Sequence, residues 1–443
     1  MSKEPVRCLI VSHAFNMDGR AASQTVTDKI PYFLKHNWIL FALSAVTGVK
    51  DNLIEHRQVF ALGPSGFRFD FRHWCAIRFS RGGTRYRVLT SLISIILAPL
   101  IIFERLLVGL SSQWSWSISA TVFGFFWIKR KKINVIYSSG GAWSAHLAAY
   151  WLKSLTGTRW IAEIHDPLVS RGERADVRVS LMDTREGRFR QHLERLICSQ
   201  SDLCWWLTEQ ALLSARRRNP TLGNRGFYVN PGARPPAIKD QYVPSETLNI
   251  GYFGSLSETR SLTKFLVEFS NYINFSQEKK GSFRLHIFGG DLDRKTHSLT
   301  ENLQIQGNVV AHGRIERDSL SGISGRDQIQ IEMQRMDCLL LLHGSTQECG
   351  EYIPSKLYEY WWASRPLIAV IHQNPQLTEL ITLMSRSNYC IASTAKAKDF
   401  ENLLEQIWDE WKQGKLRKFI LSHDPLSPEP AVNTIIKLYL EQK

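Results

Sequence analysis

The sequence predicts an α/β protein of two parallel, doubly wound domains. Three observations point there: its length, a helix and strand alternation that runs, stops and starts again, and polar residues placed just after the strands. At 443 residues the chain exceeds what one hydrophobic core usually supports, so two domains of roughly 200 residues are expected. Hydrophobic residues make up 44% and charged residues 22%, near the globular average, which argues against disorder and against a polytopic membrane protein.

Residues 6–12 are a short apolar run rich in β-formers, followed by a polar loop and an amphipathic stretch at 26–35, and read as strand, loop, helix. Residues 38–43 predict a second strand. A third, at 134–137, ends in the small-residue turn Ser138-Ser139-Gly140-Gly141. An Ala-rich helix at 144–155 and a strand at 160–164 follow, the strand stopping at His165-Asp166-Pro167. After a charged helix at 184–197, strands at 203–207 and 226–229 complete a first domain, 1–235. The segment 233–243, with Pro235, Pro236 and mixed charges, has no periodicity and reads as a linker. The alternation then restarts, with strands at 248–253, 283–288, 308–311, 337–342 and 366–370 and helices at 261–275 and 355–363, giving a second domain, 245–425. Helices at 400–411 and 431–440 close the chain. The break at Pro425, Pro428 and Pro430 sets off 426–443, expected to dock back on the first domain.

The opening residues do not read as a secretory signal, because Arg7 interrupts an apolar run of strand length, so a cytoplasmic location is expected. Seven cysteines, none in a CxxC pair, are expected to be buried reduced thiols and not a zinc clamp. The net charge of +14 is concentrated: residues 68–132 carry eleven basic side chains against two acidic ones. The same stretch contains the two most apolar segments, 88–103 and 114–128, of sixteen and fifteen residues. Both fall short of the ~20 residues that cross a bilayer. Basic blocks bracketing Trp-bearing apolar segments suit an anionic lipid surface, so in-plane contact at the inner membrane face is expected from Arg78, Arg81, Arg85, Arg87, Trp114, Trp116, Lys129 and Arg130. The alternative is a pair of core helices with a basic solvated face. Nucleic acid is disfavoured as a partner, since its binders interleave basic residues with polar and stacking ones.

In parallel sheets ligands sit beyond the carboxyl ends of the strands. Those positions hold His13 with Asp18-Gly19, Ser139-Gly140-Gly141 and His165-Asp166 in the first domain. In the second they hold Gly254-Ser255 with Arg260, Gly289-Gly290, His312-Gly313 and the loop 343–354. The strongest single signal is Glu351-Tyr-Ile-Pro-Ser-Lys-Leu-Tyr-Glu359: two carboxylates eight apart, which on one helix lie roughly 80° apart at 100° per residue. Amides at the helix start favour an anion such as a diphosphate. Asp291-Leu-Asp293 offers a metal-binding alternative of low weight.

This Glu pair, followed by Tyr360, Ala363 and Arg365-Pro366 leading into an apolar strand, resembles the donor-site signature of family-4 glycosyltransferases. The loop 254–260 resembles their Gly-Arg-Leu-x-x-x-Lys loop, and the elements at 137–146 and 160–167 are similar to bacterial polysaccharide-assembling members. The resemblance implies a GT-B fold, two Rossmann-like domains facing each other across a cleft. It implies that Arg260 stands where a Lys binds the donor diphosphate, and that Ser255 stands where an Arg is usual, a missing contact that Lys356 would supply. Glu359 would hold the ribose, Glu351 would face the donor sugar, His165 would lie near the reacting centre, and Asp18-Gly19 would approach the phosphates. Ser364 stands where the family has Gly. Retention of anomeric configuration is implied, with a nucleotide-sugar as substrate, no cofactor and no metal, and a lipid-linked or saccharide acceptor. Competing expectations are a nucleotide-sugar epimerase of the same fold, a basic nucleic-acid-binding or DNA-glycosylating protein, and an inactive scaffold of that fold.

Overall fold

The computed structural model describes residues 5–79, 83–169, 183–256, 260–290, 292, 294–318, 321–344 and 347–441. Arg81, Asp291, Asp293 and positions 257–259 of the expected phosphate loop lie outside them. The chain forms two compact units, Met1–Pro231 with Pro428–Lys443, and Gly232–Ser427.

Among the described residues the first unit holds a seven-stranded sheet: β1 (Arg7–Ser12), β2 (Ile39–Ser44), β3 (Glu55–Gln58), β4 (Val135–Ser138), β5 (Arg159–Ile164), β6 (Leu203–Trp206) and β7 (Gly226–Tyr228). Every pairing is parallel and the order is β3-β2-β1-β4-β5-β6-β7. The second unit holds β8 (Leu248–Phe253), β9 (Phe283–Phe288), β10 (Val309–Gly313), β11 (Cys338–Leu342), β12 (Leu367–Ile371) and β13 (Tyr389–Ala392), again parallel, in the order β10-β9-β8-β11-β12-β13. Both orders reverse beside the first strand, between β1 and β4 and between β8 and β11. At such switch points a parallel sheet opens a crevice for ligands.

The central strands are apolar throughout because helices cover both faces. Along β1, Leu9 and Val11 enter one core while Cys8 and Ile10 enter the other. In β11, Leu340 and Leu342 enter one and Leu339 and Leu341 the other. The last helix, Glu429–Glu441, belongs to the first unit: Val432, Ile435, Ile436 and Tyr439 share a core with Cys8 and Ile10, and Lys35 pairs with Glu429 at 2.7 Å. All seven cysteines are free, six buried and Cys390 exposed.

The basic, apolar stretch resolves differently from its sequence reading. Helix Thr84–Leu107 has 24 residues and is long and apolar enough to cross a membrane, by length and composition. The shorter expected length comes from ending the run at charged residues, yet Arg85, Arg87, Glu104 and Arg105 sit inside the helix. Its orientation is inverted relative to an ordinary surface helix: Thr90, Ile101 and Glu104 are buried, whereas Leu92, Ile95, Ile96, Ile102, Phe103 and Leu106 are 53 to 72% exposed. At 100° per residue the exposed set forms one stripe. Glu104 anchors the other side, accepting from the Ser65 amide and the Trp114 indole N–H, each at 2.7 Å.

The second apolar segment is a core helix, Trp116–Lys131, which corrects its expected placement at a lipid surface. Trp116, Ala120, Trp127 and Ile128 enter the core that Leu9 and Val11 share, and Gly124 lies against Leu152, where a Cβ would come within 2.8 Å of Cδ1. Trp116 is fully buried, so it is not a surface anchor; Trp114 is partly exposed, with its indole N–H on Glu104. Arg78, Arg85, Arg87, Lys129 and Arg130 are exposed, with Arg78 over Trp74 and Lys129 over Phe125.

Candidate active site

In the first unit the polar residues beyond β1, β4 and β5 divide into packed and presented ones. His13 is 2% exposed, wedged edge-on against Trp116 with ring centroids 5.2 Å apart and Nε2 3.4 Å from Asp70 Oδ1. It is part of the wall. Asp18 and Gly19 lie on an exposed turn ahead of helix Ala21–Thr27, with Gly19 at φ 66°, a conformation that glycine adopts without strain. Gly140, at φ 120°, brings the turn after β4 onto β1: a Cβ there would stand 2.9 Å from Ser12 Oγ.

His165 follows β5 directly. Its Nε2 lies 3.0 Å from Glu163 Oε1 and 3.1 Å from Ser139 Oγ. Glu163 is fully buried inside the apolar run at 160–164; its Oε1 also takes the Lys29 ammonium at 2.8 Å, and its Oε2 takes the Tyr137 hydroxyl. Burial pushes Glu163 up, but the charges of Lys29 and His165 outweigh it and hold the carboxyl at about 2. Tyr137 is raised well above its ordinary value by burial and by that carboxylate. The neighbouring His146 is buried, bonded to Ser138 Oγ at 2.9 Å, and pushed down to about 3 by desolvation and by His165. Sequence reasoning missed Lys29 and Glu163. The signal for Glu163 is a carboxylate inside Trp160-Ile-Ala-Glu-Ile164, since a charge within a buried strand requires a partner.

In the second unit the expected helix carrying both Glu351 and Glu359 is not formed. Glu351 ends a 3₁₀ turn, Gln347–Glu351, and the helix begins afresh at Lys356–Ala363. Pro354 explains the break: it has no N–H and steers residue 353 out of the helical region. Glu351 is instead positioned by its loop. Asn374 Nδ2 donates to the carbonyls of Cys349 and Tyr352 at 3.0 and 2.9 Å. His343 accepts at Nδ1 from the His372 amide at 3.2 Å, which leaves Nε2–H to donate to the Tyr352 carbonyl at 3.2 Å.

Glu359 is 5% exposed, and its two oxygens are taken by Arg326 Nε at 3.1 Å and Lys356 Nζ at 2.6 Å. Burial raises its pKa, but the two cations outweigh it and hold it below the ordinary range. Glu359, expected to hold the ribose, is thus paired with both of these cations. Arg326, which sequence reasoning missed, opens helix Gly325–Arg335. That helix runs back toward the start of β11, so its first turn stands at the carboxyl edge of the sheet with Lys356. Amides at the start of the short helix are partly used, Leu357 N–H to Pro354 at 2.9 Å and Tyr358 N–H to Ser355 at 3.2 Å. Ser255 is exposed beyond β8. Arg260 is half-buried, its Nε without a partner among the described residues, and its charge lowers both Tyr252 and Tyr352 against the burial that raises them. Arg260 is thus within electrostatic reach of Tyr352, next to Glu351.

The motif residues that follow are structural. Ser364 sits at φ 54°, ψ 44°, which gives a physical reason for glycine at that position. Arg365 donates to the carbonyls of Met336, Asp337 and Leu416 at 2.8 to 3.3 Å and stacks on Tyr242. Among the described residues no three His, Cys, Asp or Glu side chains are grouped to hold a metal.

No family model matches the chain, and no curated protein sequence matches it. Solved structures do. One is WaaG, a glycosyltransferase involved in lipopolysaccharide biosynthesis: 12% identity, 97% of this chain and 99% of that one, TM-score 0.56. Another is HepE (Alr3699) of Anabaena, in complex with UDP and glucose: 9% identity, 99% and 98% coverage, TM-score 0.55. A third is the UDP-GlcNAc 2-epimerase of Methanocaldococcus jannaschii: 10% identity, 98% and 100% coverage, TM-score 0.50. Near-complete coverage of both sheets at such low identity is a likeness of fold, and the fold of this chain is that of the GT-B glycosyltransferases.

Proposed function

We propose that the protein is a glycosyltransferase that takes a sugar from a nucleotide-sugar donor, with retention of anomeric configuration, and delivers it to a lipid-linked or polysaccharide acceptor. The observation that carries this reading is the gathering of cations at the carboxyl edge of the second sheet. Arg260 acts electrostatically on Tyr352, next to Glu351, and Arg326 and Lys356 are held together by Glu359. Arg260 and Lys356 bring positive charge to the place where a nucleoside diphosphate would lie. As the bond between C1 and the phosphate oxygen breaks, Arg260 and Lys356 stabilise the charge left on the diphosphate. The acceptor oxygen bonds C1 from the same face and its proton passes to the departing phosphate. No protein carboxylate serves as nucleophile and no metal is required. Glu351 orients the donor sugar; in the first unit the Asp18-Gly19 turn and His165, beyond β1 and β5, are the residues assigned to donor contact.

We further propose that it works as a peripheral protein at the cytoplasmic membrane face, with helix Thr84–Leu107 lying in the plane of the lipid. Supporting this is the inverted helix, apolar outward and tied to the unit through Glu104. Arg85 and Arg87 are exposed at its start to meet anionic headgroups.

The test is turnover of a panel of UDP-, GDP- and ADP-sugars by the purified protein, with and without EDTA and anionic liposomes, comparing wild type with Glu351→Ala and Arg260→Ala. EDTA-resistant turnover of one donor, lost in both variants and raised by liposomes, supports the reading. A donor isomerised at the sugar without transfer would replace it with the epimerase reading, which the epimerase among the fold neighbours suggests.

A further inference from the structure

Inside the first unit lies a charged cluster that transfer chemistry alone does not call for. Lys29, 1% exposed, stands between helices Ala21–Thr27 and Ile30–Lys35, and its ammonium reaches the Thr25 carbonyl and Glu163 Oε1. Its charge also lies 5.2 Å from the centre of the Trp205 ring. Glu163 is shared among three partners: Lys29 and His165 Nε2 on one oxygen, the Tyr137 hydroxyl on the other. Burying a Lys and a Glu together gives little stability over an apolar pair. It does fix geometry, because neither group can move without stranding the other.

We propose that Glu163, anchored by Lys29 and Tyr137, is a positioning residue that sets the tautomer and direction of His165, keeping the proton on Nε2 and leaving the Nδ1 lone pair for a ligand at the carboxyl end of β5. An ionised carboxylate only accepts, so the imidazole atom at 3.0 Å from Oε1 must be the one that carries hydrogen. Ser139 Oγ, 3.1 Å from the same Nε2, adds a second restraint on the ring plane. Among the described residues Nδ1 has no partner, and His165 stands at the exit of β5. In its neutral form such an imidazole accepts a hydrogen bond at Nδ1 and cannot donate one there. A sugar hydroxyl can donate to that lone pair, whereas a phosphate oxygen would require the doubly protonated, cationic ring. Lys29 sits in the turn that closes the helix following Asp18 and Gly19, so the same ion pair ties that loop to His165.

This inference rests on the reading of His165 as a site residue, and its test separates the two. Side-chain ¹⁵N spectra of the full chain, with His165 assigned by its loss in His165→Ala, report the tautomer without any ligand. The expected wild-type pattern has Nε2 protonated and Nδ1 bare, and Glu163→Gln is expected to shift it toward a tautomer mixture. Kinetically, Glu163→Gln is expected to lower kcat on the order of 10–100-fold, the size seen when outer partners of bound histidines are removed, with donor KM nearly unchanged. In a His165→Ala background the same substitution is expected to cost almost nothing. The double variant Lys29→Met with Glu163→Gln removes both buried charges and guards against simple misfolding; it is expected to fold and to share the kcat loss. An Nδ1-protonated His165 in wild type, or equal losses from Glu163→Gln with and without His165, would overturn the proposal. Absence of turnover alongside the expected tautomer would overturn the transfer reading alone.

Discussion

Replacing Ile95, Ile102 and Leu106 by Ser is expected to detach the protein from anionic membranes without unfolding it. The three side chains are 72%, 61% and 71% exposed and fall on one stripe of helix Thr84–Leu107. Fully burying an Ile or Leu is worth ~1.5–3 kcal/mol, so about two-thirds of that, ~1–2 kcal/mol, is available from each when lipid covers it. Three together give ~3–6 kcal/mol, a loss on the order of 10²–10⁴ in partitioning at ~1.4 kcal/mol per tenfold. Each arginine near an anionic surface adds about 1 kcal/mol, so Arg85→Gln with Arg87→Gln is expected to cost roughly 10–30-fold and to lose its effect in high salt. The assay is co-sedimentation with vesicles of phosphatidylglycerol and phosphatidylcholine, with urea unfolding as the fold control. Because the replaced side chains face solvent, folding stability is expected to change by less than ~0.5 kcal/mol each. Undiminished sedimentation of the triple variant, or no sedimentation of wild type, would refute the argument from the inverted helix.

Other consequences are as specific. His146 is fully buried and pushed down to about 3 from 6.5, so its contribution is complete above pH 6.5 and is lost as pH falls toward 3, because only the unfolded chain takes up the proton. At pH 5 this amounts to about 2 kcal/mol. Urea unfolding at pH 7 and 5 is therefore expected to differ by about 2 kcal/mol less in His146→Gln than in wild type, and equal differences would contradict the assignment. Ser364→Gly is expected to raise stability by ~0.5–1 kcal/mol, since it relieves a left-handed conformation at φ 54°; a loss would show that Ser364 holds something else. Gly48→Ala is expected to cost ~1–3 kcal/mol, because the added Cβ would meet the Phe15 carbonyl oxygen at 2.0 Å and the Asn16 carbonyl oxygen at 2.5 Å, both backbone atoms that must shift. An unchanged unfolding midpoint would disprove that contact.

Much of this fold is legible in the sequence because buried parallel strands are apolar on both faces and helices alternate with them. The runs around Leu9, Ile250 and Leu340 announce themselves in this way. The edge strands do not. β3 reads Glu-His-Arg-Gln and carries no hydrophobic pattern, since its place is set by pairing with β2. The site is half legible. Strand ends locate His165, Arg260 and the Glu351 loop, but the carboxylate pair reads as one helix because spacing alone cannot register the break that Pro354 imposes. Arg326 and Lys29 are invisible for a different reason: each acquires its role only from a carboxylate distant in sequence, Glu359 or Glu163. Trp116 is misplaced because an aromatic residue next to basic blocks looks the same in sequence whether lipid or a core covers it.

The central claim is that the second unit binds a nucleotide-sugar through cations at the carboxyl edge of its sheet. Titration calorimetry of UDP, GDP and ADP into the purified full chain, in EDTA, tests it most directly. One diphosphate is expected to bind, with affinity falling at least about tenfold in Arg260→Ala and in Lys356→Met while both variants stay folded. Binding of none of the three, or binding indifferent to both substitutions, would contradict the account.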